Sequence, residues 1–273
     1  MNLENGKPSI ASSTERVKTW LEGHVLHIRF NNPARHNALS LDMWEAVPLL
    51  LAQAARNDNV RMVVFSGEGD KAFVSGADIS QFEDLRAQKE AVKRYEQVAE
   101  AALQGIYECA KPTVACIRGY CIGGGVNVAI SCDIRVASSD SVFSIPATRL
   151  GLGYRFSAMK NLVQLVGAGS AKDIFFTGRR LDAAEALRIG LVNRVAEPAA
   201  LPALLAEYTT AITTGAPLTI KAGKRIIQEV LKLPADFDDE MCQRLILDCF
   251  ESEDYAEGRK AFMEKRKPMF KGK

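Results

Sequence analysis

No stretch of this 273-residue chain reaches the roughly 18 consecutive apolar residues that a membrane-spanning helix needs. A membrane role is therefore not expected. An excess of one charge is missing too: 35 Lys and Arg stand against 33 Asp and Glu, and the net charge of +2 gives no reason to expect a nucleic-acid partner. The six cysteines, Cys109, Cys116, Cys121, Cys132, Cys242 and Cys249, form no C-x-x-C pair and no zinc spacing, so no metal is expected. Several fall in apolar helix or strand patterns, which reads as buried free thiols in a reducing compartment. The opening MNLENGKPSIASSTERVK has no apolar signal core, and its acidic residues are unlike a transit peptide; a cytoplasmic location is the expectation. No internal repeat of fixed period is present, which argues against a solenoid. With 47% hydrophobic and 25% charged residues, the chain reads as a soluble globular protein with a sizeable core, one large domain or two small ones by length.

What the chain does have is concentrated between Lys111 and Val136, KPTVACIRGYCIGGGVNVAISCDIRV. Thr113–Ile117 is apolar, rich in β-branched residues and bounded by Pro112 and Gly119, and it predicts a buried strand. Gly123, Gly124 and Gly125 follow, and then VNVAISC, apolar enough for a buried helix. Three glycines between strand and helix permit a tight turn with uncovered backbone N–H groups. Those groups have no partner within the helix, and the helix dipole favours negative charge beside them. Such a turn can bind a phosphate or hold an oxyanion, and it can equally be a close helix–strand crossing. It is not a P-loop, since no Lys-Ser/Thr follows, nor a dinucleotide fingerprint, whose glycines are spaced G-x-G-x-x-G. A second turn lies in KAFVSGADISQF, after the apolar strand Val60–Phe65, where Ser75, Gly76 and Ala77 let a ligand approach the backbone. Two such turns can place one N–H each on a single oxygen.

FVSGADI, GYCIGGGVNVAISCDIRVAS, FTGRRLDAAEALRIGLVNRV and SEDYAEGRKAFMEKRKPMF, in that order from about His24 to the C-terminus, resemble the crotonase family of enoyl-CoA hydratases, isomerases and relatives acting on coenzyme A thioesters. The resemblance implies an α/β fold, with a crotonase-like repeated ββα spiral core and the thioester site in residues 1–196. A C-terminal all-helical layer, 197–273, follows; in relatives it packs over the active site of a neighbouring subunit and closes trimers, often paired into hexamers. An acyl-CoA thioester is thus the implied partner, the assembly a homotrimer or dimer of trimers, and coenzyme A enters only as part of the substrate, without a separate cofactor. The two oxyanion donors are implied at the backbone N–H groups of Ala77 and Gly124. Ser75, Ile79, Ser80 and Gly123 are implied as substrate-binding neighbours of those donors, and Asp78 as a turn-stabilising residue among them. Phe262 and Lys265 match positions that contact coenzyme A. Arg35, in PARHNAL, either reaches a phosphate or is simply solvated.

The resemblance also shows what is missing. Enoyl-CoA hydratases add water across a double bond with two glutamates, one activating the water and the other handling the α-proton. The first follows the glycine triplet by two residues, where this chain has Asn127; the second follows the proline of F-x-x-P, where it has Ala147. Hydration by the two-glutamate route is therefore not expected, although the oxyanion hole is complete. Tyr154, in LGLGYRF, is the leading candidate to face the acyl pocket; with a pKa of about 10 it is a poor base and a good donor. LGLGYRF and the tail also resemble the methylmalonyl-CoA decarboxylase branch. Decarboxylation needs no base, because the departing carbon dioxide leaves its electrons in the thioester. That branch, however, has histidine at Ala77 and glutamate at Asn127. Three readings stand: an enolate-stabilising enzyme, in all a lyase of the enoyl-CoA hydratase family; a decarboxylase of a carboxylated acyl-CoA; and a non-catalytic acyl-CoA binding protein. Arg155, Tyr120 and Ser144 are weaker site candidates.

Local patterns predict the rest. Glu22-Gly23 reads as a hairpin turn, and Ser40 as the N-cap of a helix to about Arg56 disturbed at Pro48. A long helix over Leu85–Ala110 is predicted with one apolar face and an exposed charged one. Further helices are predicted at Arg155–Val166, Ser170–Phe176 and Asp182–Ile189, with a strand at Leu191–Val195.

Overall fold

Strand β1 (Val17–Glu22) turns through Gly23, at φ 56°, into β2 (Val25–Phe30), and the two pair antiparallel as the Glu22-Gly23 turn predicts. The computed structural model describes residues 10–78, 89–232 and 236–273. From β2 onward the chain repeats a step. The strands β3 (Met62–Gly67), β5 (Thr113–Ile117) and β7 (Ile134–Ser138) are each followed by a short one: β4 (Ala72–Val74), β6 (Tyr120–Ile122) and β8 (Val142–Ser144). The long strands join one sheet in the order β1-β2-β3-β5-β7-β10 and the short ones a second sheet in the order β4-β6-β8-β9. Within each sheet the repeated strands run parallel. The chain is thus a rising ββα spiral closed by β9 (Leu181–Asp182) and β10 (Arg194–Ala196), an α/β fold of the crotonase type.

Ten α-helices fill the steps and the tail among the described residues: α1 (Leu41–Ala55), α2 (Lys89–Tyr107), α3 (Gly124–Ser131), α4 (Ala147–Leu150), α5 (Phe156–Thr177), α6 (Ala183–Arg188), α7 (Leu201–Thr214), α8 (Pro217–Val230), α9 (Asp239–Phe250) and α10 (Glu253–Met263). The central strands β3, β5 and β7 of the first sheet are buried on both faces, which is why they read as continuous apolar runs. Val63, Phe65, Ala115 and Ile117 enter the large core that includes α1 and α3 residues. Their neighbours Met62, Val64 and Val114 enter a smaller core with Leu201 and Leu204 of α7.

Several local expectations need correction. Ser40 sits at the N-cap of α1, but its hydroxyl donates to the Asp42 carboxylate instead of capping a backbone N–H. Pro48 lies inside α1 without ending it. By contrast, the two helices predicted at 155–166 and 170–176 do meet at a kink, Gly167 with φ 73° and ψ 161°, within the run Phe156–Thr177. The strand predicted at Leu191–Val195 is shorter and later, Arg194–Ala196, because Leu191 and Val192 turn into the core first. All six cysteines are free, four of them buried. No described helix is long and apolar enough to cross a membrane.

Candidate active site

The turn after β4 is built on Leu39. The Leu39 N–H donates to the Gly76 carbonyl at 2.8 Å, and the Leu39 carbonyl accepts from the Asp78 N–H at 2.9 Å. This is a parallel bridge of Leu39 with Ala77, so Leu39 spends its own polar groups on the residues either side of Ala77. The N–H of Ala77 consequently faces the other way, and it donates to no acceptor among the described residues. A side-chain chain fixes Leu39 in turn: Trp44 Nε1 donates to the Tyr95 hydroxyl at 2.8 Å, which donates to the Leu39 carbonyl at 3.0 Å. Glycine at 76 is required, because its φ of 117° is closed to residues with a Cβ.

The glycine triplet divides its work. Gly123, at φ 53°, makes the turn, and its N–H donates to the Ser144 carbonyl at 2.8 Å. Gly125 permits a close crossing: a Cβ there would lie 2.2 Å from the Val74 carbonyl oxygen. Gly124, first residue of α3, stands against the other turn; its Cβ would lie 3.7 Å from the Gly76 carbonyl carbon, at ordinary contact. The close crossing that the sequence allows is therefore present at Gly125, while Gly124, one residue earlier, has room beside it.

Between the two turns opens a cavity of about 380 Å³, within the usual range for small-molecule sites. Ser75, Ala77, Gly123, Gly124, Asn127, Ala147 and Tyr154 all line it. The Tyr154 hydroxyl donates to Asn127 Oδ1 at 3.1 Å, and its ring stands edge-on to Phe175. Burial pushes the Tyr154 phenol up to about 12, so it is neutral at any ordinary pH. Burial likewise lifts Tyr95 to about 12. Ala147 is buried, and it leaves its wall of the cavity without a titratable group. Leu103, Ile122, Ile145, Leu150 and Leu152 make much of the remaining lining apolar.

One wall was not foreseen. Glu96 and Glu100 lie one turn apart on the α2 face that the sequence assigns to solvent, and both line the cavity. Arg155 Nη2 meets Glu96 Oε2 at 3.1 Å, and its Nη1 lies 3.5 Å from Glu100 Oε2. Ser157 Oγ donates to Glu100 Oε1 at 2.6 Å. Arg155 therefore reaches the cavity with its charge matched by two glutamates, its side chain staying 37% exposed. The only sequence signal for this wall is the i, i+4, i+7 stripe Glu96, Glu100, Leu103 beside the apolar face, which does not reveal a partner on α5.

Other predicted residues fall elsewhere. Asp78 is buried and takes an ion pair from Arg35 Nη1 at 3.1 Å, a contact that ties the turn to Arg35 rather than leaving that arginine simply solvated. Phe262 is 82% exposed, and Phe262 and Lys265 do not join the cavity within this chain. Ile79 and Ser80 lie outside the described residues. Tyr120 and Ser144 do not line the cavity, and the Ser144 hydroxyl donates to the Gly178 carbonyl. Among the described residues no group of three His, Cys, Asp or Glu could hold a metal ion.

The comparisons with known proteins agree with this architecture. The enoyl-CoA hydratase/isomerase family matches residues 21–273. A short-chain-enoyl-CoA hydratase of Clostridium acetobutylicum is 34% identical over 246 residues, 90% of this chain and 94% of its own. A crotonyl-CoA hydratase of Syntrophomonas wolfei is 33% identical over 246 residues, 90% of this chain and 93% of its own. The crystal structure of an enoyl-CoA hydratase/isomerase family protein from Hyphomonas neptunium superposes with a TM-score of 0.89 at 36% identity, covering 95% of this chain and 99% of that one. This chain belongs to the enoyl-CoA hydratase/isomerase family.

Proposed function

We propose that the chain binds an acyl-CoA thioester in the 380 Å³ cavity and stabilises its enolate between the N–H groups of Ala77 and Gly124. The observation that carries this reading is the contact of two turns, in one of which the Ala77 N–H donates to no acceptor among the described residues. A thioester carbonyl oxygen between two such donors becomes more basic as the enolate forms, and each bond strengthens with it. Removing one donor of this kind costs about 2.7–4 kcal/mol of transition-state stabilisation. With Asn127 and Ala147 at the family's glutamate positions, the reaction starts without either usual carboxylate. The reading is therefore an acyl-CoA enzyme, a lyase in the broad sense, in which ordinary hydration is weak.

A second reading, decarboxylation of a carboxylated acyl-CoA, draws support from the neutral Tyr154–Asn127 pair, which could hold a carboxylate without taking a proton. Against it weigh the two carboxylates of Glu96 and Glu100 in the same cavity. A panel of saturated, unsaturated and carboxylated acyl-CoA thioesters, followed by mass spectrometry, separates these readings. Gly124→Pro is the companion variant: proline is tolerated at the first position of a helix and removes the N–H. Turnover equal to the parent in a folded Gly124→Pro protein refutes the oxyanion hole, and binding without turnover of any thioester favours the non-catalytic reading. Residues 197–273 fit an oligomerisation region, since Val230, Leu247, Phe250, Phe262 and Met263 expose apolar surface there. A trimer or dimer of trimers is expected, and a monomer by light scattering at micromolar concentration refutes it.

A further inference from the structure

The enolate reading leaves open which group removes the α-proton and returns it. Of the titratable groups lining the cavity among the described residues, Tyr95, Glu96, Glu100, Tyr154 and Arg155, three are poorly suited. Tyr95 and Tyr154 keep their protons to about pH 12. Arg155 is a cation with no proton to accept. The choice falls between two glutamates, and geometry separates them.

Glu96 has half of its side chain exposed and takes a hydrogen-bonding distance contact from Arg155 at 3.1 Å. Glu100, one helical turn further along, is less exposed, at 29%. Its two oxygens differ. Oε1 is held by the Ser157 hydroxyl at 2.6 Å. Oε2 is shut off from solvent and accepts no hydrogen bond among the described residues; Arg155 Nη1 stands 3.5 Å away without donating to it. A buried carboxylate oxygen with no donor is costly, and such an atom in a native fold calls for an explanation. Glu100 also borders a second chamber of about 10 Å³, the space of one water, which Asn127, Ser131, Ser157 and Asn161 border as well. Glu100 and Asn127 line both spaces, so the chamber adjoins the cavity behind these two side chains.

We infer that Glu100 is the proton carrier of this site, its carboxylate taking the proton from the carbon next to the thioester carbonyl and giving it back to the enolate. In the forward step the C–H bond breaks, an O–H bond forms on Glu100, and the electron pair moves through the new C=C bond onto the thioester oxygen held by Ala77 and Gly124. The return step reverses each change, so no oxidant or further reactant is needed. Ser157 fixes the carboxyl group through its bond to Oε1. One water in the chamber gives the carried proton a path to exchange with solvent. Two vacant glutamate positions are thus matched by a carboxylate from a different element, α2, facing the same cavity.

The inference rests on the enolate reading, and one experiment tests the two separately. Butyryl-CoA is incubated with the protein in deuterium oxide, and α-deuterium incorporation is followed by mass spectrometry while binding is measured by calorimetry. The parent is expected to exchange the α-protons. Glu100→Gln, which keeps the acceptor for Ser157 but cannot take a proton, is expected to bind butyryl-CoA within about threefold of the parent and to exchange it 10²–10⁴-fold more slowly, the range of a general acid–base group. Glu108→Gln, at an exposed position after α2, is expected to exchange like the parent. Glu100→Ala is expected to recover exchange on addition of formate, which restores a carboxylate and would not repair a merely distorted pocket. A parent that binds butyryl-CoA and exchanges nothing overturns the enolate reading. Exchange undiminished in Glu100→Gln overturns the role of Glu100 alone, as does a Glu100→Ala protein that formate leaves inactive.

Discussion

Replacing Gly125 by alanine adds one methyl group at the crossing of α3 and β4, 2.2 Å from the Val74 carbonyl oxygen and 3.0 Å from its carbon. Both are backbone atoms in a paired strand, so no flexible side chain can move aside. Ordinary contact requires the two backbones to part by about 1 Å. Overpacking of this kind costs about 1–3 kcal/mol, and contact with backbone puts Gly125→Ala at the upper end. For a chain of this size each kcal/mol is worth roughly 2–4 °C, so the melting temperature should fall by roughly 5–10 °C. β4 leads directly into Ser75, Gly76 and Ala77, so the same shift displaces one proposed donor, and a misplacement near 1 Å costs about 10²-fold in rate. Gly124→Ala is the internal comparison. Its methyl meets Trp44 at 3.6 Å and Gly76 at 3.7 Å, both ordinary contacts, and alanine is the better helix former by up to about 1 kcal/mol. Its melting temperature should stay within about 3 °C of the parent. Differential scanning fluorimetry on both variants, with deuterium exchange into butyryl-CoA as the activity readout, checks the pair. Equal stability of Gly125→Ala and Gly124→Ala would refute the division of labour between the two glycines.

The buried phenols predict the alkaline limb of stability. Tyr95 and Tyr154 are raised to about 12 by burial, so each favours the folded state fully below pH 10, and that contribution is lost as pH rises from 10 through 12. Urea midpoints should be insensitive to these groups at pH 8–9 and fall above pH 10; Tyr154→Phe should flatten the fall, and an unchanged slope would show that its phenol is not protected. Restoring the family's carboxylates is expected to create hydration. Asn127→Glu with Ala147→Glu should raise crotonyl-CoA hydration above a parent well below the 1–10³ per second typical of enzymes, each single variant gaining little. A parent already hydrating at such rates, read by loss of the conjugated thioester absorbance, would refute the two-glutamate argument.

Much of the spiral was legible because its strands are buried on both faces and bounded by Gly and Pro. Thr113–Ile117 reads as a strand for that reason and is one, whereas Val60–Phe65 overlaps a strand that starts later and runs on, Met62–Gly67. The two turns were legible because glycine is irreplaceable there, at φ 117° for Gly76 and φ 53° for Gly123. The break within Phe156–Thr177 was legible because Gly167, at φ 73° and ψ 161°, kinks the run between the two predicted helices. The Leu39 bridge was invisible: it is made of backbone groups, and no side chain advertises which carbonyl a turn will use. The α2 wall was misread for a physical reason. Charged residues beside an apolar stripe ordinarily face water; Glu96 does stay half exposed, and the contacts of Arg155 and Ser157 at the start of α5 hold Glu100 at the cavity.

That wall bears on the proposed absence of both family glutamates at Asn127 and Ala147. A carboxylate at position 127 would share the one-water chamber with Glu100, and two carboxylates at such range cannot both ionise without cost. Asn127 avoids that conflict, and its Oδ1 instead engages the neutral Tyr154 hydroxyl. Ala147 leaves the opposite wall uncharged as well. Among the described residues the negative charge lining the cavity is confined to α2, where Arg155 partly balances it. In Asn127→Glu, with or without Ala147→Glu, the new carboxyl group and Glu100 should compete for one proton. Adding Glu100→Gln to the double variant removes the competitor, so if the two sites are coupled through the chamber the triple variant should hydrate crotonyl-CoA faster than the double. Equal or slower hydration in the triple variant would mean that the two carboxylates do not sense each other.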